Sequence, residues 1–383
     1  MTGPHIYLVG AYGTGDMTTS MGRFTELLRA HLTSRGLGVD VLKPRAILGA
    51  SKLVPKKLRP LAGLVDKLVL FPRELRRASR RARAAGTPYI FHICDQAYAN
   101  YTGPLGDVPH LVTCHDVMGI EAALGRSPYM TFGWNTRLYQ KMLLRGLNRA
   151  QRVVCVSETT RLALKAVSTI PDSRIRTILI GPNHPYSPMP EAEARERVGR
   201  LLGGASGQPY ILHVGANIWY KNRAGALRIF ARLRELRAAD DLRLVMVGRS
   251  FTPEMKAIVE EESLSGLVIP QVNIDSEDLR ALYSRAKAMI FPSLCEGFGW
   301  PILEAQSCGC PVLTTNRPPM TEVGGTAALY FDPADPAEAA RTIAAGWGEL
   351  PALSASGPAN ATRFNTERMM DEYVQTYREL AGA

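Results

Sequence analysis

Short apolar runs alternate along the chain with longer stretches in which apolar residues recur at helical spacing. The first run, Ile6-Tyr-Leu-Val9, ends in Gly10-Ala-Tyr-Gly13-Thr-Gly15, and a helical pattern follows from about Thr18 to Leu32. The same strand, glycine turn and helix recur where Tyr210-Ile-Leu-His-Val214 meets Gly215, after which Leu227, Phe230, Leu233 and Leu236 trace one helix stripe. Further strand-like runs cover residues 88–93, 111–114, 152–156, 242–247, 287–292 and 311–315. This alternation predicts parallel sheets with helices on both faces. Two such starts, at residues 6 and 210, predict two doubly wound α/β domains of Rossmann type facing one another across a cleft. The join falls between Gly181-Pro-Asn-His-Pro185 and Gly203-Gly-Ala-Ser-Gly207, both rich in turn formers. Ligands of open α/β sheets lie beyond the carboxyl ends of the strands, so the loops there are the place to look for chemistry.

The 383 residues are enough for two or three domains with real cores, and 46% apolar with 21% charged residues excludes a disordered chain. No run of 18 apolar residues occurs, and Met1-Thr-Gly-Pro-His5 lacks the layout of a secretion signal, so the expectation is a cytoplasmic protein. The six cysteines read as thiols in a reducing compartment, several of them in strand-like runs such as Val153-Val-Cys155-Val. Cys308-Gly-Cys310 has no second pair and no histidine cluster nearby, which favours packing over a metal site.

Charge changes the picture. Through Ile180 there are 26 Lys and Arg against 11 Asp and Glu, whereas the remainder has 20 against 24. Between Lys43 and Arg83, 13 basic residues meet only Asp66 and Glu74, with Leu61, Leu64, Val65, Leu68 and Phe71 interleaved near helical spacing. Two readings stand side by side: a basic amphipathic helix on an anionic membrane surface, peripheral on the inner face, and a solvated basic face on a core-packed helix. Pro55, Pro60 and Pro72 are expected to break the segment into short pieces. Nucleic acid ranks last as a partner, because the stretch has almost no aromatic residues on which bases would stack.

The segment richest in chemistry is Phe291-Pro-Ser-Leu-Cys-Glu296-Gly-Phe-Gly-Trp-Pro301-Ile-Leu-Glu304-Ala-Gln-Ser-Cys-Gly309-Cys-Pro-Val. A strand runs out at Phe291, Pro301 suits the first helical position, and Gly309 stops the helix. The loop thus opens onto a helix start, where the backbone amides of Gly297, Phe298 and Gly299 suit a phosphate or diphosphate. Glu296 and Glu304 bracket that anion site. Carboxylates beside a bound phosphate repel it unless they face hydroxyls, and a nucleotide sugar supplies hydroxyls on both sides of its diphosphate. Glu304 would then accept from the ribose and Glu296 from the transferred sugar.

With its flanking residues, and with Asn316-Arg-Pro-Pro-Met-Thr-Glu322 after it, this segment resembles the donor signature of retaining glycosyltransferases of family 4, which have the GT-B fold. The similarity extends over nearly the whole chain. It implies a first domain of residues 1–184 joined by a returning last helix, 364–383, and a donor domain of residues 185–363. His213-Val-Gly215-Ala-Asn217-Ile-Trp-Tyr220-Lys221-Asn-Arg223 resembles the family's second phosphate site. There Lys221 is the point charge for the leaving diphosphate, Asn217 donates to a phosphate or shapes the turn, and Arg223 either supports the diphosphate or faces solvent. Tyr220 stands where many members have arginine. His115, at a strand end, resembles the family's histidine near the transferred sugar, with Asp116 beside it as ligand or helix cap.

His92 and Asp95 end another strand, lining the acceptor pocket or serving packing and capping, and Gly13 and Gly15 permit close approach of a phosphate or acceptor. The resemblance implies a GDP- or UDP-sugar donor, a glycan, lipid-linked or small-molecule hydroxyl acceptor, and neither a metal nor another cofactor. A phosphorylase or a nucleotide-sugar epimerase of the same fold is the near alternative; a basic nucleic-acid-binding protein is the distant one.

Overall fold

A computed structural model describes residues 3–10, 20–51, 54–237 and 241–382. Gly13 and Gly15 lie outside the described residues. The chain divides into two compact units, Met1–Asn183 with Thr366–Ala383, and His184–Asn365.

The first unit contains β1 (His5–Val9), β2 (Val39–Leu42), β3 (Tyr89–Ile93), β4 (His110–Cys114), β5 (Arg152–Cys155) and β6 (Ile175–Thr177). They form one parallel sheet in the order β2-β1-β3-β4-β5-β6. β4 is buried along its length, as a strand covered by helices on both faces must be. The final helix, Thr366–Ala381, belongs to this unit although it follows the second in sequence. Its Tyr373 and Tyr377 are fully buried. The Tyr377 hydroxyl lies 2.8 Å from Nδ1 of His92, whose Nε2 is 2.7 Å from the Thr113 hydroxyl, which in turn meets the Tyr373 hydroxyl at 2.9 Å. This relay pins the last helix to β3 and β4. His92 is thus part of the packing beneath that helix rather than the lining of an acceptor pocket.

Pro55 stands just before the helical part of the basic segment, but Pro60 and Pro72 do not break it. From Lys56 to Ala84 the chain stays helical, through a short 3-10 turn, Arg59–Val65, a π-helical turn at Asp66–Leu70 and Phe71–Ala84. Pro60 sits in the first turn of its helix, where its missing N–H costs nothing. At Pro72 the wider turn, with the Phe71 N–H bonded to the Asp66 carbonyl, makes room for the ring within a continuing helix.

The second unit contains β7 (Tyr210–Gly215), β8 (Arg243–Gly248), β9 (Val268–Gln271), β10 (Ala288–Phe291), β11 (Val312–Thr315) and β12 (Ala328–Phe331). They too form a parallel sheet, in the order β12-β11-β10-β7-β8-β9. Strand order reverses between β7 and β10, which pair directly through Met289 and Leu212. Such a switch point, with helices leaving the two strands toward opposite faces, is where ligands of open α/β sheets bind, so the loops after β7 and β10 are the place to look for a site. The core of this unit is apolar, with Leu227, Phe230 and Leu233 of helix Arg223–Leu236 packed against Leu244 and Met246 of β8. All six cysteines are free; Cys295 is partly exposed and the others are buried.

Candidate active site

The loops after β7 and β10 meet at the point where strand order reverses. Trp219–Lys221 forms a 3-10 turn, Asn222 adopts a left-handed conformation, and helix Arg223–Leu236 begins. The Asn222 side chain caps that helix by accepting from the Gly225 N–H, and its amide donates to the Pro292 carbonyl at 3.1 Å. The Leu294 N–H donates to the Tyr220 carbonyl at 2.8 Å. These two bonds fasten the loops together.

Across that fastening, Lys221 Nζ donates to Glu296 Oε1 at 2.7 Å. The ammonium also lies 5.5 Å from the Tyr220 ring centroid and 5.2 Å from that of Phe291. Aromatic faces and one carboxylate hold the cation in place, so Tyr220 here forms part of the wall around Lys221.

The β10 loop ends at Gly299, with φ 108, a conformation that strains any residue bearing a Cβ. Helix Trp300–Ser307 follows, with Trp300 at the first position and Pro301 at the second, one residue later than the sequence suggests; the missing N–H is harmless at either place. Among the described residues neither the Phe298 nor the Gly299 amide finds an acceptor. Phe298 is buried, edge-on to Phe364 at 5.4 Å, which anchors the loop. The start of this helix therefore offers peptide N–H groups beside the Lys221–Glu296 pair.

Glu304, one turn into the helix, is 6% exposed and accepts from the Tyr283 hydroxyl at 3.0 Å. Tyr283 is fully buried, and burial pushes its phenol well above the usual range, so it is a hydroxyl donor at every working pH. Sequence reasoning missed this partner. Tyr283 lies inside an ordinary helix, Ser276–Arg285, and no spacing ties it to Glu304.

Arg223 does not face solvent. It is 4% exposed, its guanidinium lies 5.6 Å from the Phe251 ring centroid, and Nη1 donates to the Arg249 carbonyl at 2.8 Å and to Asn217 Oδ1. Asn217 in turn donates to the Ser250 carbonyl at 2.7 Å, the turn-shaping arrangement. These bonds join the loops after β7 and β8, whose backbones nearly touch: a Cβ on Gly248 would lie 2.0 Å from the Gly215 carbonyl oxygen. His213, in β7, donates from Nδ1 to the Ile290 carbonyl at 3.0 Å, and burial drives its pKa down to about 3. Its Nε2, Arg223 Nε and Nη2, and the Ser293 hydroxyl are buried without a partner among the described residues. Polar atoms left in this way around one sheet edge suit a polar ligand.

In the first unit, His115 follows β4 directly. Its Nε2 donates to the Cys94 carbonyl at 2.9 Å, its ring meets Phe24 edge-on at 4.9 Å, and its own N–H donates to Gln96 Oε1 at 2.8 Å. Burial lowers its pKa to about 4, so the imidazole is neutral, with Nδ1 left as the acceptor. Asp116 accepts from the Met118 N–H at 3.1 Å and Asp95 from the Ala97 N–H at 2.7 Å. Both carboxylates thus cap the turns that follow their strands. The structure brings together Lys221, Glu296, Gly297, Phe298, Gly299 and Gly215 around one sheet edge of the second unit; His115, Asp95 and Asp116 belong to the other unit.

Residues 21–183 match the model of Glycosyltransferase Family 4, and residues 201–345 that of Glycosyl transferases group 1. The chain is a family 4-type glycosyltransferase of GT-B fold. Each match falls within one of its two units. The glycosyltransferase is 28% identical over 292 residues to O-antigen chain mannosyltransferase B of Escherichia coli, covering 73% of this chain and 74% of that protein. It is 25% identical over 226 residues to O-antigen chain mannosyltransferase RfbU of Salmonella typhimurium, covering 58% and 57%. Its fold matches that of Anabaena HepE, solved in complex with UDP and glucose, with a TM-score of 0.72, 15% identity and coverage of 97% and 99%.

Proposed function

We infer that this glycosyltransferase moves a hexose, and mannose in particular, from a nucleoside-diphosphate sugar to a hydroxyl of a growing polysaccharide with retention of anomeric configuration. The relatives of O-antigen synthesis support the sugar and the acceptor class. The observation that carries the reading is the Lys221–Glu296 pair beside the start of helix Trp300–Ser307.

The bond from the anomeric carbon to the diphosphate oxygen breaks while the acceptor oxygen bonds to the same carbon. The acceptor proton passes to the departing diphosphate. Charge accumulates on the leaving group, and the Phe298 and Gly299 amides with Lys221 meet it; such preorganised donors are worth about 3 to 4 kcal/mol each where they act mainly on the transition state. Lys221 stands between two anions once the donor is bound, and Glu296 is left to orient a sugar hydroxyl. Glu304, held by Tyr283, takes the ribose hydroxyls. Neutral His115 serves as a hydrogen-bond acceptor for substrate hydroxyl, not as a cation. No metal is needed in this scheme, because lysine and peptide amides supply the positive charge.

The test has two arms. Thermal shift against a panel of GDP- and UDP-sugars should single out one donor, since ligand at 100 times its Kd adds about 2.7 kcal/mol of stability. With that donor and a hydroxyl acceptor, Lys221→Ala and Glu296→Ala should each lose at least tenfold in transfer rate, about 1.4 kcal/mol. Full activity in either variant, or a product of inverted anomeric configuration, refutes the scheme.

A further inference from the structure

The chain enters the second unit at His184 and leaves it at Asn365, and both ends are packed onto residues of the donor site. At the entry, residues 184–189 are bonded to one face of helix Ser276–Arg285, where Glu277, Arg280 and Ser284 recur at intervals of three and four. His184 Nε2 is 2.6 Å from Glu277 Oε1, Arg280 donates to the Ser187 carbonyl at 2.8 Å, and the Met189 N–H donates to the Ser284 hydroxyl at 3.0 Å. Between these fixed points Tyr186 is 7% exposed, and its ring meets that of Tyr283 edge-on with 5.9 Å between centroids. Tyr283 is the residue whose hydroxyl donates to Glu304.

At the exit, Phe364 is 2% exposed and meets the Phe298 ring edge-on at 5.4 Å. Phe298 carries one of the amides offered at the start of helix Trp300–Ser307. Four residues before Phe364, the Asn360 amide donates to Gln306 Oε1 and to the Val323 carbonyl, both at 2.8 Å, and Gln306 lies two residues beyond Glu304 on that same helix. One aromatic contact therefore leads from the entry to the carboxylate, and another from the exit to the peptide amides. Edge-to-face pairs have a preferred geometry, so each ring fixes the orientation of the next. A smaller side chain at position 186 would leave space into which Tyr283 relaxes, away from Glu304. A shift of about 1 Å in such a group is enough to spoil alignment with a bound substrate.

We propose that Tyr186 and Phe364 are positioning residues of the donor site: Tyr186 holds Tyr283 to Glu304, and Phe364 holds the loop that offers the Phe298 and Gly299 amides. The segments by which the chain enters and leaves this unit thereby set donor affinity, and by reciprocity a bound nucleotide steadies those segments. The proposal rests on the donor reading above.

The test uses the full chain, with GDP and UDP as probes, in amide hydrogen exchange and calorimetric titration. The nucleotide that binds should slow exchange at residues 297–304 and, by about fivefold or more, at residues 184–189. Tyr186→Leu and Phe364→Leu should each weaken nucleotide binding by about fivefold or more. Tyr186→Phe keeps the ring and should retain wild-type affinity. Leu264→Ala, a truncation in the core just after helix Pro253–Glu261, should lose stability and no affinity. Circular dichroism melts place these variants on one stability scale. Slowed exchange at 297–304 with none at 184–189 overturns the proposal. So does nucleotide affinity in the Tyr186→Leu and Phe364→Leu proteins equal to that of Leu264→Ala, which reduces both aromatic residues to core packing. If neither nucleotide changes exchange at 297–304, the donor reading itself is refuted and the proposal falls with it.

Discussion

Lys221 Nζ and Glu296 Oε1, 75 residues apart in sequence, meet at 2.7 Å, with 16% and 8% of their side chains exposed. The pair joins the two loops that flank the reversal of strand order in the second sheet. Removing either partner leaves the other nearly buried and uncompensated, which is costlier than never having had the pair.

The double variant Lys221→Met with Glu296→Gln should therefore unfold at a higher denaturant midpoint than either single variant, while all three lose transfer. A denaturant series on the four proteins gives the coupling directly. Additive single effects would show that the two side chains do not depend on one another.

Tyr283→Phe should weaken donor binding severalfold and lower stability by about 1 to 2 kcal/mol, because the Glu304 carboxylate loses a buried hydroxyl donor. Isothermal titration with the preferred nucleotide diphosphate checks the first part and chemical denaturation the second. Unchanged nucleotide affinity would separate Glu304 from the ribose.

Three histidines set an acid limit on stability. Burial holds the pKa of His115 at about 4 and those of His92 and His213 at about 3, against 6.5 in the open chain. Between these values the unfolded state binds protons that the folded state refuses, so stability is fully present above pH 6.5 and falls as pH drops. Each such histidine contributes a slope of about 1.4 kcal/mol per pH unit. Denaturation curves of His213→Gln between pH 6.5 and 4 should show a slope smaller by about that amount.

Gly299→Ala should slow transfer and cost about 1 kcal/mol or more, since φ 108 is a conformation that an alanine adopts only with strain. Crystallography or amide exchange at the start of helix Trp300–Ser307 would locate the displacement. A variant with native kinetics would show that the loop tolerates a different backbone path.

Much of this was legible because parallel strands followed by glycine turns and helices are written locally: the run at Tyr210, the break at Gly215 and the stripe from Leu227 each follow from neighbouring residues. The strand, loop and helix start around Glu296 were legible for the same reason. What escaped was set by distant partners. Arg223 reads as either a diphosphate ligand or a solvent-facing residue, and only Phe251 and the Arg249 carbonyl, from another loop, remove the second reading by enclosing it. Tyr283 acquires its role only when two helices pack. The prolines of the basic segment read as breaks because local rules do not foresee a π-helical turn that absorbs Pro72.

The final helix supplies a wall of the unit whose other residues end at Asn183. During translation, the strands that Tyr373 and Tyr377 cover emerge long before those tyrosines do, and 182 intervening residues complete a separate unit first. The first unit must therefore wait, partly uncovered, until the helix Thr366–Ala381 has been made. A chain cut before Thr366 would leave the first unit without that helix beside an intact second unit, His184–Asn365, a natural target for chaperones and proteases.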